Sequence, residues 1–253
     1  MSAEPVTLDC AGGVATVTIG NPPLNLVNGE VLEGLMAALQ RIEAAHDVRA
    51  VVLTGAGRRA FCAGFDLGEL RDGAGAAEAG ADQRLFDAIQ GTRVPVVAAI
   101  EGHCIGGGLE LALACDIRIA ADDATLCAAG VRVGLVVSAA RIGSWISPAV
   151  ASDLVLTGRT IDGREAERLN VVSRAVPSTE VLNEAQAWAA MIAERAPLAV
   201  SAAKRAIRAT VEHGFDQALS QEVAATAELT ESEDHRRAVA AFFSGKPARF
   251  TGG

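Results

Sequence analysis

Lysine is nearly missing from this 253-residue chain, since of 22 basic residues only Lys204 and Lys246 are not arginine. Basic residues are also outnumbered by 31 acidic ones, giving a formal charge of −9 and a pI near 5.0. That balance excludes nucleic acid as the main partner. A local arginine cluster can still hold a phosphate group on an acidic protein. The five cysteines (Cys10, Cys62, Cys104, Cys115, Cys127) contain no C-x-x-C pair and sit among small or apolar neighbours, as free thiols in a reducing compartment do. The histidines (His46, His103, His213, His235) lack ligand spacing, and no H-E-x-x-H occurs, so no metal is expected. Met1 to Cys10 has neither a basic start nor an apolar core, and no apolar run is long enough for a bilayer. A cytoplasmic protein with no membrane partner is the expectation.

Half of the residues are hydrophobic, enough to bury the core of one α/β domain with an extension. Val14–Ile19 alternates as a strand and stops at Gly20-Asn21-Pro22-Pro23. Asn28 is placed to cap a helix running to about Ala45, with Val31, Leu32, Leu35, Leu39 and Ile42 on one face. Strands are expected at 48–54, 60–63, 94–101 and 116–120, and helices at 82–92 and 107–115. The resulting β-α-β passages imply right-handed parallel crossovers. After Pro177 the pattern turns helical, at 178–195, 197–213, 215–230 and 232–243. Residues 1–195 therefore read as the core and 196–253 as a helical region. Its apolar positions (Leu198, Val200, Ala203, Ile207, Leu219, Val223) need either the core or another subunit to cover them. The glycine- and alanine-rich stretch 71–83 reads as a mobile loop, either a lid or a passive surface segment.

The chemically informative segment is Gly102-His103-Cys104-Ile105-Gly106-Gly107-Gly108-Leu109-Glu110-Leu111-Ala112-Leu113-Ala114-Cys115-Asp116, fed by the strand at 94–101. A glycine turn opening a helix aims bare backbone N–H groups, backed by the helix dipole, at whatever occupies it. Glu110 stands about one turn into an otherwise apolar helix. It is either a first-turn charge favoured by the dipole or a catalytic carboxylate.

Gly55-Ala56-Gly57-Arg58-Arg59-Ala60 fits a G-x-G-x-x-A dinucleotide pattern, but no helical period follows. Without a helix to receive the pyrophosphate, a hairpin-like turn is the better reading. Phe61-Cys62-Ala63-Gly64-Phe65-Asp66-Leu67, taken alone, is also a turn, with Asp66 able to bond the local backbone.

Taken together, these segments resemble the enoyl-CoA hydratase/isomerase (crotonase) superfamily over nearly the whole chain. Asn21-Pro22-Pro23-Leu24-Asn25 is similar to its N/R-P-x-x-x-N opening, Val51 to Asp66 to its strand and A-G-x-D turn, and Gly102 to Asp116 to its G-G-G-x-E-L-A-x-x-C-D helix. Val155-Leu156-Thr157-Gly158-Arg159 resembles its L-x-L-T-G-R step, and Phe242 to Phe250 its closing F-x-x-K-R-x-x-x-F. The resemblance implies a β-β-α spiral core and a C-terminal helical oligomerisation region forming trimers or dimers of trimers. It also implies an acyl-coenzyme A thioester as ligand, with no separate cofactor. By position the N–H groups of Phe65 and Gly107 would hold the thioester oxygen as it becomes an enolate, and Glu110 would handle the proton. Ala63, Asp66 and Leu67 match the adenine-side turn, and Phe242 and Lys246 match tail residues that reach a neighbouring subunit's ligand. Arg58 and Arg59 are further phosphate partners to consider.

One departure stands out. The family's second glutamate, in a P-E-x-x-L-G segment, falls at Gly130, and the P-G-x-G-G loop has become Val137-Ser138-Ala139-Ala140-Arg141. Losing one acid/base group costs on the order of 10²–10⁴ in rate. Arg132, Arg141, Ser138, Asp122 and Asp123 are the polar groups nearby in sequence. The resemblance implies an enoyl-CoA hydratase-like enzyme of fatty acid metabolism. Gly130 leaves other enolate chemistry (isomerase, decarboxylase) and a non-catalytic acyl-CoA binder as alternatives. No paired Ser and His motif supports a protease.

Overall fold

The computed structural model describes residues 4–66, 68 and 75–253, and the side chains of these except over 75–82. The strands are β1 (Val6–Ala11), β2 (Val14–Ile19), β3 (Ala50–Gly55), β4 (Ala60–Cys62) and β5 (Val96–Ile100). They continue as β6 (His103–Ile105), β7 (Ile117–Ala121), β8 (Thr125–Cys127), β9 (Thr160–Ile161) and β10 (Arg174–Val176). Two sheets result, one of six strands in the order β1-β2-β3-β5-β7-β10 and one of four in the order β4-β6-β8-β9. The chain passes repeatedly from the larger sheet to the smaller, which makes the spiral.

Local sequence explains the larger sheet. β2 alternates and buries Ala15, Val17 and Ile19, as a strand with one face on the core does. β3 and β5 are nearly continuous apolar runs, the signature of parallel strands covered on both faces. β2, β3, β5 and β7 pair in parallel, as the β-α-β passages require.

The first helix, α1 (Gly29–Ala44), opens where Asn28 Oδ1 accepts from the Val31 N–H at 3.0 Å. It buries Val31, Leu35, Ala38, Leu39 and Ile42 on one side. The second, α2 (Gly75–Gly91), begins well before the expected 82. The stretch read as a loop at 71–83 is therefore helical from Gly75, while 71–74 lie outside the described residues. Alanine, the best helix former, outweighs the scattered glycines there. The strand feeding the glycine turn is likewise β6, not β5. The turn at 56–59 joins strands of different sheets and makes no hairpin, since β4 pairs with β6.

Helices α3 (Gly107–Ala114), α4 (Ala139–Trp145), α5 (Pro148–Thr157) and α6 (Gly163–Arg168) follow, with a 3₁₀ turn at Ala129–Val133. α7 (Val181–Ala193) buries Val181, Ala185, Ala189 and Ala193 at four-residue spacing against β3, β5 and β7. Pro197 then opens α8 (Pro197–His213), followed by α9 (Phe215–Thr230) and α10 (Glu233–Ser244). Exposed Ile207, Val211, Phe215, Leu219, Val223, Phe242 and Phe243 stud these last helices.

Candidate active site

α3 is the centre of the site, and its two ends are built differently. At its start, the first intrahelical bond runs from Glu110 N to Gly106 O at 3.0 Å, so the Gly107 N–H precedes any i−4 partner. Gly108 lets the helix press on β4: a β-carbon there would lie 1.9 Å from the Cys62 carbonyl oxygen. At its end, buried Arg118 donates from Nη1 to the Cys115 carbonyl at 2.8 Å and from Nε to Val171 O at 2.8 Å. Its guanidinium also lies 5.0 Å from the Trp145 ring centroid. A cation at the C-terminal carbonyls complements the helix dipole.

The second element of the site is the turn after β4. Val27 forms a parallel bridge with Phe65, taking the Gly64 carbonyl at 2.9 Å and giving its own to Asp66 N at 3.0 Å. In such a bridge the flanking residues supply both bonds, so the Phe65 N–H points away from Val27. Among the described residues it has no backbone acceptor. Gly64 adopts φ +110°, and a β-carbon there would sit 3.2 Å from Ile105 O and 3.6 Å from Gly107 N. The two glycine-bearing turns are thus packed backbone to backbone. The opening motif secures this turn: buried Asn25 donates from Nδ2 to Ala60 O at 2.7 Å and to Ala56 O at 3.1 Å. The Ala63 N–H bonds Leu24 O at 3.1 Å, and Asp66 Oδ1 accepts from the Gly68 N–H at 2.8 Å.

Glu110 lies one turn beyond Gly107. Its Oε1 accepts from Arg141 Nε at 2.8 Å, and both side chains are nearly buried, 12% and 10% exposed. Its Oε2 is buried and, among the described residues, has no hydrogen-bond partner. A buried acceptor left unmet costs about 1–3 kcal/mol, and this one belongs to a residue that lines a cavity. Arg141 also stacks 5.3 Å from the Phe86 ring centroid, and Phe86 meets Phe65 edge-on at 6.1 Å. A continuous wall therefore runs Phe65–Phe86–Arg141–Glu110. A cavity of about 680 Å³ begins at Glu110 and Arg141 and continues beneath α8 along Trp145, Ile192, Val200 and Ile207. Its floor carries Lys204, whose Nζ is 2.8 Å from Asp116 Oδ2.

Sequence reasoning placed Glu110, Phe65 and Gly107 together, and the structure puts them in one neighbourhood. Of the polar groups near in sequence to the lost acid, only Arg141 meets Glu110. Asp122 instead pairs with Arg164 at 2.8 Å, Ser138 Oγ reaches Gly106 O at 3.4 Å, and Asp123 and Arg132 are exposed. Arg58 pairs with Glu101 at 3.3 Å. Leu67 lies outside the described residues. Phe242 is exposed and Lys246 lines a separate cleft with Arg237 and Arg249, so neither borders the Glu110 cavity.

Gly130 is buried, and a β-carbon there would fall 2.8 Å from both Leu135 O and Val137 N. The backbone has closed over the place where a second carboxylate would stem. The signal for this was in the sequence, as two departures in one segment, but the partner of Glu110 was not.

A two-sheet spiral whose glycine-opened helix packs on the turn after β4 defines the crotonase-type fold. The family model described as enoyl-CoA hydratase/isomerase matches residues 9–253, and the chain belongs to that family. The short-chain-enoyl-CoA hydratase of Clostridium acetobutylicum is 33% identical, covering 96% of this chain and 95% of its own. Carnitinyl-CoA dehydratase of Proteus mirabilis is also 33% identical, over 85% of this chain and 84% of its own. Among solved structures, enoyl-CoA hydratase from Bacillus anthracis superposes with a TM-score of 0.93 at 30% identity, covering 98% of this chain and 100% of its own. DspI of Pseudomonas aeruginosa gives 0.93 at 30% identity, over 99% of this chain and 98% of its own.

Proposed function

We propose that the protein is an enoyl-CoA hydratase-like enzyme that adds water to 2-enoyl-CoA thioesters in fatty acid metabolism. The observation that carries this reading is the packing of the Gly64–Phe65 turn against Gly107, with Glu110 one turn further on. The N–H groups of Phe65 and Gly107 would hold the thioester oxygen while negative charge collects there. Fixed donors of this kind stabilise an enolate more than its parent carbonyl, and each is worth about 3–4 kcal/mol. Glu110 would guide water to the β-carbon. Coenzyme A enters as part of the substrate, its adenine side against Ala63, Asp66 and Leu67, and no separate cofactor takes part.

Lys246 and Phe242 would serve a neighbouring subunit's ligand, in a trimer or a dimer of trimers. The exposed apolar residues of α8 to α10 support self-association of this kind. The negative charge and the sparse, unpaired cysteines fit a cytoplasmic setting without nucleic-acid or membrane partners. Among the described residues no helix is long and apolar enough to cross a membrane, and no cluster of His, Cys, Asp or Glu could hold a metal.

Gly130 favours a second reading, an acyl-CoA binder without turnover, because one of the family's two acids is missing. Loss of the enoyl-thioester absorbance with purified protein and with Glu110→Gln separates the two. Hydration falling on the order of 10²–10⁴-fold in the variant, with acyl-CoA binding kept, supports the enzyme. Binding without turnover in both supports the binder.

A further inference from the structure

We propose that Arg141 is the positioning residue of this site: by holding Oε1 of Glu110 it leaves Oε2 as the oxygen that moves the proton, so that one carboxylate performs both halves of the water addition. The inference rests on the hydratase reading and deepens it.

Four observations carry it. Arg141 Nε donates to Oε1 at 2.8 Å, which fixes the carboxylate's rotation. Oε2 is buried and, among the described residues, takes no hydrogen bond. The guanidinium is itself packed in place, lying over the Phe86 ring at 5.3 Å with its side chain only 10% exposed. The chain leading into α4, which carries Arg141, is the one closed over Gly130, where a β-carbon would meet Leu135 O and Val137 N. The missing second acid and the arginine thus lie in one short segment, residues 130–141.

The chemistry of the two groups divides the work. A guanidinium stays protonated in proteins and gives up no proton, so Arg141 cannot replace the second acid. It can hold a carboxylate in a planar, directed geometry. Oε2 then takes a proton from water as the water oxygen bonds to the β-carbon. The π electrons of the double bond move onto the thioester oxygen, at the Phe65 and Gly107 N–H groups. The same proton passes from Oε2 to the α-carbon as the enolate collapses. H and OH have been added, nothing is oxidised or reduced, and the carboxylate is regenerated.

The test compares Arg141→Met and Arg141→Lys with the unaltered protein in two assays. One is hydration of a 2-enoyl-CoA. The other is exchange of the α-hydrogens of a saturated acyl-CoA in D2O, read by mass spectrometry, which needs proton handling by Glu110 but no water addition. A displacement of about 1 Å in a reacting group costs on the order of 100-fold. Arg141→Met should therefore lower kcat and exchange by about that factor, with KM changed less than about threefold. Added guanidinium ion should restore part of the loss, and Arg141→Lys should be intermediate. A purely structural arginine predicts a lower melting temperature, no guanidinium rescue and rates within about threefold in the Lys variant, which stays informative if Arg141→Met does not fold. That result overturns the inference. Exchange that depends on Arg141 without any hydration sinks the hydratase reading and leaves the positioning role standing. Neither activity in the unaltered protein overturns both.

Discussion

The ring of Phe65 fills the space that a β-carbon on Gly107 would need, its nearest ring atoms lying 2.3 Å from that point. The residue proposed to supply one amide donor therefore also fixes the size permitted at the other. Gly107→Ala must push the Phe65 ring or the α3 start aside, and hydration kcat should fall about 10²–10³-fold, as when one oxyanion donor is lost. Combining it with Phe65→Ala, which frees that space, should recover part of the loss. Strict additivity of the two effects in a double-mutant cycle on kcat/KM would refute the steric coupling.

Restoring the family's missing acid by Gly130→Glu should not raise activity. The backbone oxygen of Leu135 and nitrogen of Val137 stand 2.8 Å from any β-carbon, and backbone yields less readily than a flexible side chain. The expected result is a destabilisation of about 1–3 kcal/mol, seen as a lower melting temperature with hydration at or below the parent level. A faster enzyme would show that the loop has more room than described.

Lys204 ties α8 to the core. It is 7% exposed, pairs with Asp116 at 2.8 Å and donates to Val94 O at 3.0 Å. Lys204→Met leaves Asp116 without its charge partner, and breaking a well-buried pair costs about 3–5 kcal/mol. Asp116 keeps its bond from the Val96 N–H and is 28% exposed, so the lower end applies. A drop of roughly 6–12 °C in melting temperature follows from the usual scaling for a chain of this size. Calorimetry on the variant decides it.

The thiols give a test independent of activity. Burial raises the pKa of Cys62 to about 11 and that of Cys115 to about 12. Burial also pushes Cys104 well above its ordinary value and raises Cys127. Thiolate is the reactive form, so these four stay inert at pH 8, while exposed Cys10 reacts. A chromogenic disulfide reagent should report one fast thiol in the native protein and all five after denaturation. Two or more fast thiols would contradict the packing around α3.

What could be read in the sequence was mostly backbone geometry. Gly106-Gly107-Gly108 before an apolar run predicts a helix start with bare amides, and α3 begins at Gly107. Asn28 predicts a cap, and it caps α1. Such features are legible because each depends on residues within one turn. β6 has no local signature because it is three residues long between glycines, and its strand character comes from pairing with β4 and β8. α2 starts earlier than the glycine-rich pattern predicts because the helix propensity of its alanines outweighs the cost of its glycines. Arg141 lies 31 positions from Glu110, and only the path of the loop between them makes them partners. Long-range pairs of this kind have no local signature.

Beneath α8, Ile207 and Val211 border the cavity that starts at Glu110, yet both are more than half open to solvent. Substitutions there would reshape the cavity wall and the exposed apolar face of the helix at the same time. On the proposed function, ligand affinity and subunit stoichiometry should therefore drift together across any set of changes on that helix, and a measured shift in either needs the other beside it before a cause is assigned.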